Sequence, residues 1–194
     1  MQTASKKVIN GWAMYDWANS VYSLVITSSI FPAYYEAVTS GKKIVFLGRV
    51  FNEPSALYDY AVAFSFLAVA VMSPLLSSIA DAFGNKKRFM QFFCYLGSLS
   101  CCGMYWFQPD NPQLGIILFI LASIGFGSSI VFYNAYLPEI ATVKDQDNVS
   151  AKGFALGYIG SVILLLICLT MVTKPACFGI ANTTKASQIS CLLT

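Results

Sequence analysis

Five stretches of this 194-residue chain carry no charged side chain at all: Trp17–Tyr35, Tyr60–Ala80, Phe89–Pro109, Asn111–Pro138 and Gly153–Thr173. The shortest holds 19 residues and the longest 28. A helix needs about 20 mostly apolar residues to cross a bilayer core of about 30 Å. All 12 Lys and Arg and all 9 Asp and Glu therefore fall in short intervening segments. Charged residues are 11% of the chain, where an average soluble domain has about 25%. This pattern excludes a soluble enzyme, a disordered tail and a nucleic-acid binder of ordinary composition. It reads as an all-α, polytopic membrane protein with five transmembrane helices.

The remaining bulk numbers narrow the chemistry. A net charge of +3, scattered over short loops, makes no phosphate-binding stripe and implies no nucleic-acid partner. The chain has no histidine, so the commonest metal ligand and proton shuttle is missing. Cys94, Cys101, Cys102 and Cys168 lie in apolar runs and read as small buried hydrophobes. Cys177 and Cys191, in the polar tail, are the pair that could bridge. No spacing suggests a zinc site, and no catalytic set, cofactor or metal is expected. Lys6 and Lys7 precede an apolar stretch, but Asp16 interrupts it without a prompt small-residue cleavage pattern, so the first run reads as a retained span.

The expected organisation is an interfacial lead over 1–16, a five-span bundle over 17–172, and a polar tail over 173–194. The spans fall at about 17–37, 58–80, 89–107, 114–137 and 153–172. Trp12, Tyr15 and Trp17 mark the headgroup level at the start of the first. With the N-terminus in the cytoplasm, Lys6, Lys7, Lys86, Lys87, Arg88, Lys144 and Lys152 lie inside. Lys42, Lys43, Arg49, Lys174 and Lys185 then lie outside. The turn Asp81–Arg88 weighs most, because it concentrates three bases in eight residues. Two sequons, Asn148-Val-Ser150 and Asn182-Thr-Thr184, fall on opposite sides in this topology.

Span one carries Asp16, Asn19, Ser20, Ser23 and Thr27 at helical spacing. Polar side chains are costly in lipid, so this face should meet other helices or water, either by interhelical hydrogen bonding or by lining a cavity. Asp16 is an interfacial charge if the span starts at Trp17, and a cavity or coupling residue if it lies deeper. Tyr133 and Asn134 near the end of span four either pack or face the same cavity. Gly153, Gly157 and Gly160 with Ser161 put small residues on one face of span five, a pattern that lets helices approach closely. Gly125, Gly127, Ser128 and Ser129 read the same way. Pro32 and Pro74 should kink their spans.

The turn after span two reads Ser77-Ser-Ile-Ala-Asp-Ala-Phe-Gly-Asn-Lys-Lys-Arg88. It resembles the loop between the second and third spans of the major facilitator superfamily, Gly-x-x-x-Asp-Arg/Lys-x-Gly-Arg/Lys-Arg/Lys. Asp81, Gly84, Lys86 and Lys87 match it or lie one place away, while Ser77, Ala82 and Asn85 depart from it. Gly11-Trp-Ala-Met-Tyr-Asp-Trp-Ala-Asn-Ser20 opens span one. Phe132-Tyr-Asn-Ala-Tyr-Leu-Pro-Glu-Ile-Ala141 closes span four, and Ser150-Ala-Lys-Gly-Phe-Ala-Leu-Gly-Tyr-Ile-Gly160 opens span five. These segments resemble one branch, the vacuole effluxer family and its bacterial relatives, related to autophagy-linked amino-acid exporters.

The resemblance implies a secondary transporter of a small polar solute, with amino-acid efflux as its substrate guess, working by alternating access. It makes the five spans most of an N-terminal six-helix half, so the chain is expected to be a truncated N-terminal part that needs a missing C-terminal half or a second copy. It makes Asp81, Gly84, Lys86, Lys87 and Arg88 a conformational gating turn. The location implied is the inner cell membrane of a bacterium, or a vacuolar or other endomembrane of a eukaryote. A multispan scaffold without transport activity is the alternative from another class.

Overall fold

The computed structural model describes residues 3–194, apart from the side chains of Asp81 and Phe83. Helix α1 (Lys6–Val21) passes without a break into a π-helical segment, Tyr22–Ile30, and then into α2 (Phe31–Thr39). Next come a small hairpin of β1 (Ile44–Phe46) and β2 (Arg49–Phe51), then α3 (Pro54–Phe83) and α4 (Lys86–Gly103). They are followed by α5 (Pro112–Ala135), the short α6 (Leu137–Ile140), α7 (Gln146–Thr173) and α8 (Thr183–Leu193).

The expected lead over 1–16 is thus helical from Lys6 and continuous with the first apolar run. Its aromatic residues are taken up in packing. Trp12 stacks on Tyr133 at 4.2 Å between ring centroids. Trp17 lies over Gly160, where an added Cβ would come within 2.9 Å of the indole. The π segment ends two residues before Pro32, which lacks an N–H and whose ring clashes with the carbonyl four residues earlier. Wider π bonding just upstream accommodates that clash.

Pairs of contacting residues give the direction of each helix. Asn10 meets Lys152, Asp16 meets Gly157 and Trp17 meets Gly160, so α1 and α7 run parallel. Trp12 meets Tyr133, Asn19 meets Ser129 and Tyr22 meets Ser123, so α1 and α5 are antiparallel. Helix α4 is antiparallel to α5 through Gly97 and Gly125, and α3 is parallel to α5 through Tyr58 with Phe119 and Val69 with Gly127. The five long helical rods therefore alternate in direction.

Three of them are long and apolar enough to cross a membrane: Pro54–Ala80, Pro112–Ile140 and Gln146–Thr173. The other two expected spans differ for evident reasons. The π segment divides the first rod into shorter helices, and α4 spends its first turn on Lys86, Lys87 and Arg88. Only 6% of the apolar stretch of α3 is buried, against 39% for α5. Thus α3 displays Phe64, Phe66, Leu67, Val71 and Leu75 on the outside, and α7 displays Tyr158, Ile163 and Leu166. Water would penalise such surfaces and lipid would not.

Charge gathers at the two ends. At one, Lys86 Nζ donates to Glu139 Oε1 at 2.8 Å, Lys152 Nζ to Asn10 Oδ1 at 2.6 Å, and Ala4 N to Ile140 O at 2.8 Å. The Thr3 and Thr142 hydroxyls both donate to Asp145 and hold its carboxyl below the usual carboxylate range. At the other end, Lys42 Nζ reaches Pro109 O at 3.1 Å and Lys185 sits 4.1 Å from the Tyr105 ring centroid. An aromatic cluster of Phe31, Tyr35, Tyr58, Phe107 and Phe119 closes the core there.

The polar tail is ordered. Gly179 adopts φ +67° after a 3-10 turn at Pro175–Phe178, and the Asn182 side chain caps α8 by accepting from Lys185 N at 2.8 Å. Gln188 Nε2 then donates to Phe107 O at 2.8 Å, docking α8 on the bundle. This docking separates the two tail cysteines: Cys191 is buried with Cys101 and Cys168, whereas Cys177 is exposed, and both are free.

Backbones touch most closely between α4 and α5, where a Cβ on Gly125 would lie 2.6 Å from Gly97 N and 2.8 Å from Phe93 O. Neither atom can yield. Gly125→Val is expected to destabilise the bundle by about 1–3 kcal/mol, in the range of an overpacked core. Gly11→Ala, where nothing lies within 4 Å, should be neutral or slightly stabilising. Thermal unfolding of both purified variants checks the contrast.

Candidate functional site

The polar residues of the first rod open onto three adjoining clefts. The largest of these, about 350 Å³, lies between α1, α5 and α7 and brings together Asp16, Ser20, Ser23, Ser28, Tyr133 and Asn134. A second, about 240 Å³, lies between α1, α4 and α5 and contains Asn19 with Tyr15 and Ser129. A third, about 140 Å³, faces α3 and contains Thr27 with Ser23, Ser28 and Ser65. Phe126 borders all three, and Ser23 and Ser28 are shared by the first and third. Four of the expected cavity residues, Asp16, Ser23, Tyr133 and Asn134, therefore share one cleft, while Asn19 and Thr27 open onto its neighbours.

Asp16 is 6% exposed. It lies beside Gly157, five helical residues and so about 7.5 Å beyond Lys152 along α7. The Ser20 hydroxyl donates to its Oδ1 at 3.1 Å. Gly157 makes room for both: a Cβ there would come within 2.9 Å of Asp16 Oδ2 and 2.7 Å of Ser20 Oγ. One turn earlier, a Cβ on Gly153 would meet the Tyr133 hydroxyl at 2.8 Å. The Tyr133 ring is fixed between Trp12 and Tyr15, yet its hydroxyl is buried without a hydrogen-bond partner. Asn19 Oδ1 accepts from Ser129 at 3.3 Å while its Nδ2 is likewise buried and unpaired. Such groups are costly to leave unsatisfied, so they mark places where water or a solute belongs.

Ser28 was not among the expected residues. In an ordinary helix, positions 23 and 28 diverge, but the π segment brings residues five apart onto one face. Ser28 Oγ accordingly donates to Ser23 O at 2.9 Å. Both serines are exposed inside a stretch without charge. Pro32 is the one sequence signal that points to this widening. Ser161, Phe154 and Tyr158 of α7 complete the cleft.

The charged turn lies away from these clefts. Gly84 has φ +63° and Asn85 N donates to Ala80 O at 3.2 Å, a helix-ending turn that favours glycine. Lys87 and Arg88 are exposed, and Lys86 pairs with Glu139 of α6. The side chain of Asp81 lies outside the described residues.

Two of the segments singled out in the sequence, the turn at 77–88 and the close of span four, are thus joined by an ion pair, and the other two pack as α1 against α7. The profile of one family, "Vacuole effluxer Atg22 like", matches residues 4–194. The chain belongs to that family. It is 34% identical over 186 residues to the MFS-type transporter YxiO of Bacillus subtilis, which covers 95% of this chain and 42% of YxiO. It is 26% identical over 190 residues to Autophagy-related protein 22 of Coccidioides immitis, covering 78% of this chain and 31% of that protein. The homonymous protein of Pyricularia oryzae is 26% identical over 163 residues. The chain therefore spans under half the length of these relatives. No solved structure matches it. The family and relatives are transporters, not enzymes, and the chain is a membrane protein.

In this effluxer-family chain, the α1–α7 contact leaves no spare volume at Gly157. Gly157→Val should displace Asp16 and Ser20 into the cleft and destabilise the bundle by about 1–3 kcal/mol, the scale of an overpacked core. Thermal unfolding of the purified variant checks this, with Gly11→Ala as the neutral comparison.

Proposed function

We propose that this chain forms the N-terminal portion of a secondary transporter that moves a small polar solute by alternating access along the open polar face of α1 and its π segment. The observation that carries the reading is the exposed Ser23, Ser28 and Asn134 beside buried Asp16 and Tyr133, set in a bundle whose outer helix faces are apolar. A polar face opening from membrane-buried helices is tolerated where it lines a water-filled path or meets another segment of protein. Family membership, and the chain's 42% share of YxiO, favour a longer working unit in which a further half or a second copy covers that face.

On this reading all five rods cross the bilayer, in keeping with their alternating directions. Lys6, Lys7, Lys86, Lys87, Arg88, Lys144 and Lys152 then lie together on the cytoplasmic side. The location is the inner cell membrane of a bacterium or a vacuolar or other endomembrane of a eukaryote. The turn of Gly84, Lys86, Lys87, Arg88 and Asp81 serves as the gating turn, and the Lys86–Glu139 pair ties it to the end of α5 and α6. The substrate proposed from the family resemblance is an amino acid, moved outward from the compartment that holds it. Glycines 153, 157 and 160 serve helix packing and hold α1 against α7.

The full gene product, reconstituted in proteoliposomes, should give saturable flux of at least one amino acid from a panel. Well-folded protein with no flux of any solute would replace this reading with that of a membrane scaffold. The orientation has its own check: a membrane-impermeant maleimide should label the exposed Cys177 of intact cells or vesicles from the non-cytoplasmic side. Glycan at Asn148 would reverse the orientation.

A further inference from the structure

The cleft between α1, α5 and α7 contains a carboxyl group that no base pairs with among the described residues. Asp16 is the one charged side chain among the buried described residues. Among those residues it makes no ion pair, and the Ser20 hydroxyl donates to it. No Lys or Arg lines the cleft. Lys152, the nearest base along α7, is occupied by Asn10 Oδ1 at 2.6 Å. A buried carboxylate without a counter-charge is costly, and a bundle keeps one where a partner arrives from outside. Tyr133, whose hydroxyl is buried without a hydrogen-bond partner, lines the same cleft. Tyr158 lines it too.

Resting on the transport reading above, we propose that Asp16 is the specificity-determining residue that receives a primary ammonium group of the solute, with the Tyr133 hydroxyl as a second acceptor beside it. An ammonium offers three N–H donors and one positive charge. The site offers a carboxylate oxygen beside Gly157 and a set of neutral hydroxyls from Ser20, Ser23 and Tyr133. A volume of about 350 Å³ admits a small organic solute. A metal ion fits less well, because no group of three or more metal-ligating side chains occurs among the described residues.

The test uses the full gene product in detergent, with binding read by ligand-induced thermal stabilisation. The probes are the common α-amino acids and methylammonium, their N-acetylated counterparts, and sodium chloride against a sorbitol blank. Amine-bearing probes should stabilise the protein and N-acetylated ones should not. Asp16→Asn should weaken amine binding roughly 10- to 100-fold, as loss of a charge-assisted hydrogen bond predicts. Should Asp16→Asn fail to elute as folded protein, Tyr133→Phe takes its place and should weaken amine binding severalfold. The inference is overturned by equal stabilisation from N-acetylated probes, by unchanged affinity in the variant, by absence of any amine effect, or by an Asp16-dependent effect of sodium alone. Asp16-dependent amine binding without flux in proteoliposomes would leave this inference standing and remove the transport reading. Flux indifferent to Asp16→Asn would do the reverse.

Discussion

The close approach of α1 and α7 is the contact on which the rest of the molecule depends. Two segments some 140 residues apart in sequence lie parallel because Gly153, Gly157 and Gly160 present bare backbone to Trp12, Asp16, Ser20 and Trp17. That contact sets the level of α1 within the bundle and leaves α5 to cross both helices in the opposite direction. It also buries Asp16, which on a solvated helix would be one more surface charge. Without small residues on α7, the carboxylate could be accommodated only by moving α1 away or by losing the stacking of Trp12 and Tyr15 on Tyr133.

Apolar residues fill the core of this protein and cover much of its outside as well. The outer faces of α3 and α7 are Phe, Leu, Ile and Val, while hydroxyls and amides gather along the first rod. Lipid does not drive such helices together by the hydrophobic effect, so packing, glycine contacts and interhelical hydrogen bonds have to do so. The two ends are tied differently. One is held by charge, through Lys86 with Glu139 and the Thr3–Thr142–Asp145 cluster. The other is held by stacked aromatic rings and by Gln188 of α8 on Phe107. The polar face of the π segment lies between them, where neither set of ties reaches.

Much of this was legible in the sequence because charge exclusion is a one-dimensional signal. The charge-free runs at 60–80, 111–138 and 153–173 mark the three apolar helices, and the turns at Gly84 and Gln108–Pro112 fall between rods as their chemistry requires. Helix ends were less visible. The first rod begins at Lys6 rather than near Trp17, because a helix can extend past the apolar run into charged sequence. The ordered α8 was read as a polar tail because its hold on the bundle is a few specific contacts from Gln188, Ser190 and Cys191, which no periodicity announces. Asp16, Ser23, Tyr133 and Asn134 were found together because polarity inside an apolar run is conspicuous. Ser28 was not, since its place on that face depends on π geometry.

On the transport reading, the face of Ser23 and Ser28 meets water in the membrane while the outer face of α3 meets lipid. Single cysteines at Ser28 and Leu67, each in a background with Cys102 and Cys177 replaced, test it directly with a hydrophilic maleimide on native membranes. Labelling should be rapid at position 28 and absent at 67. Equal silence at both positions, with folded protein present, would contradict it.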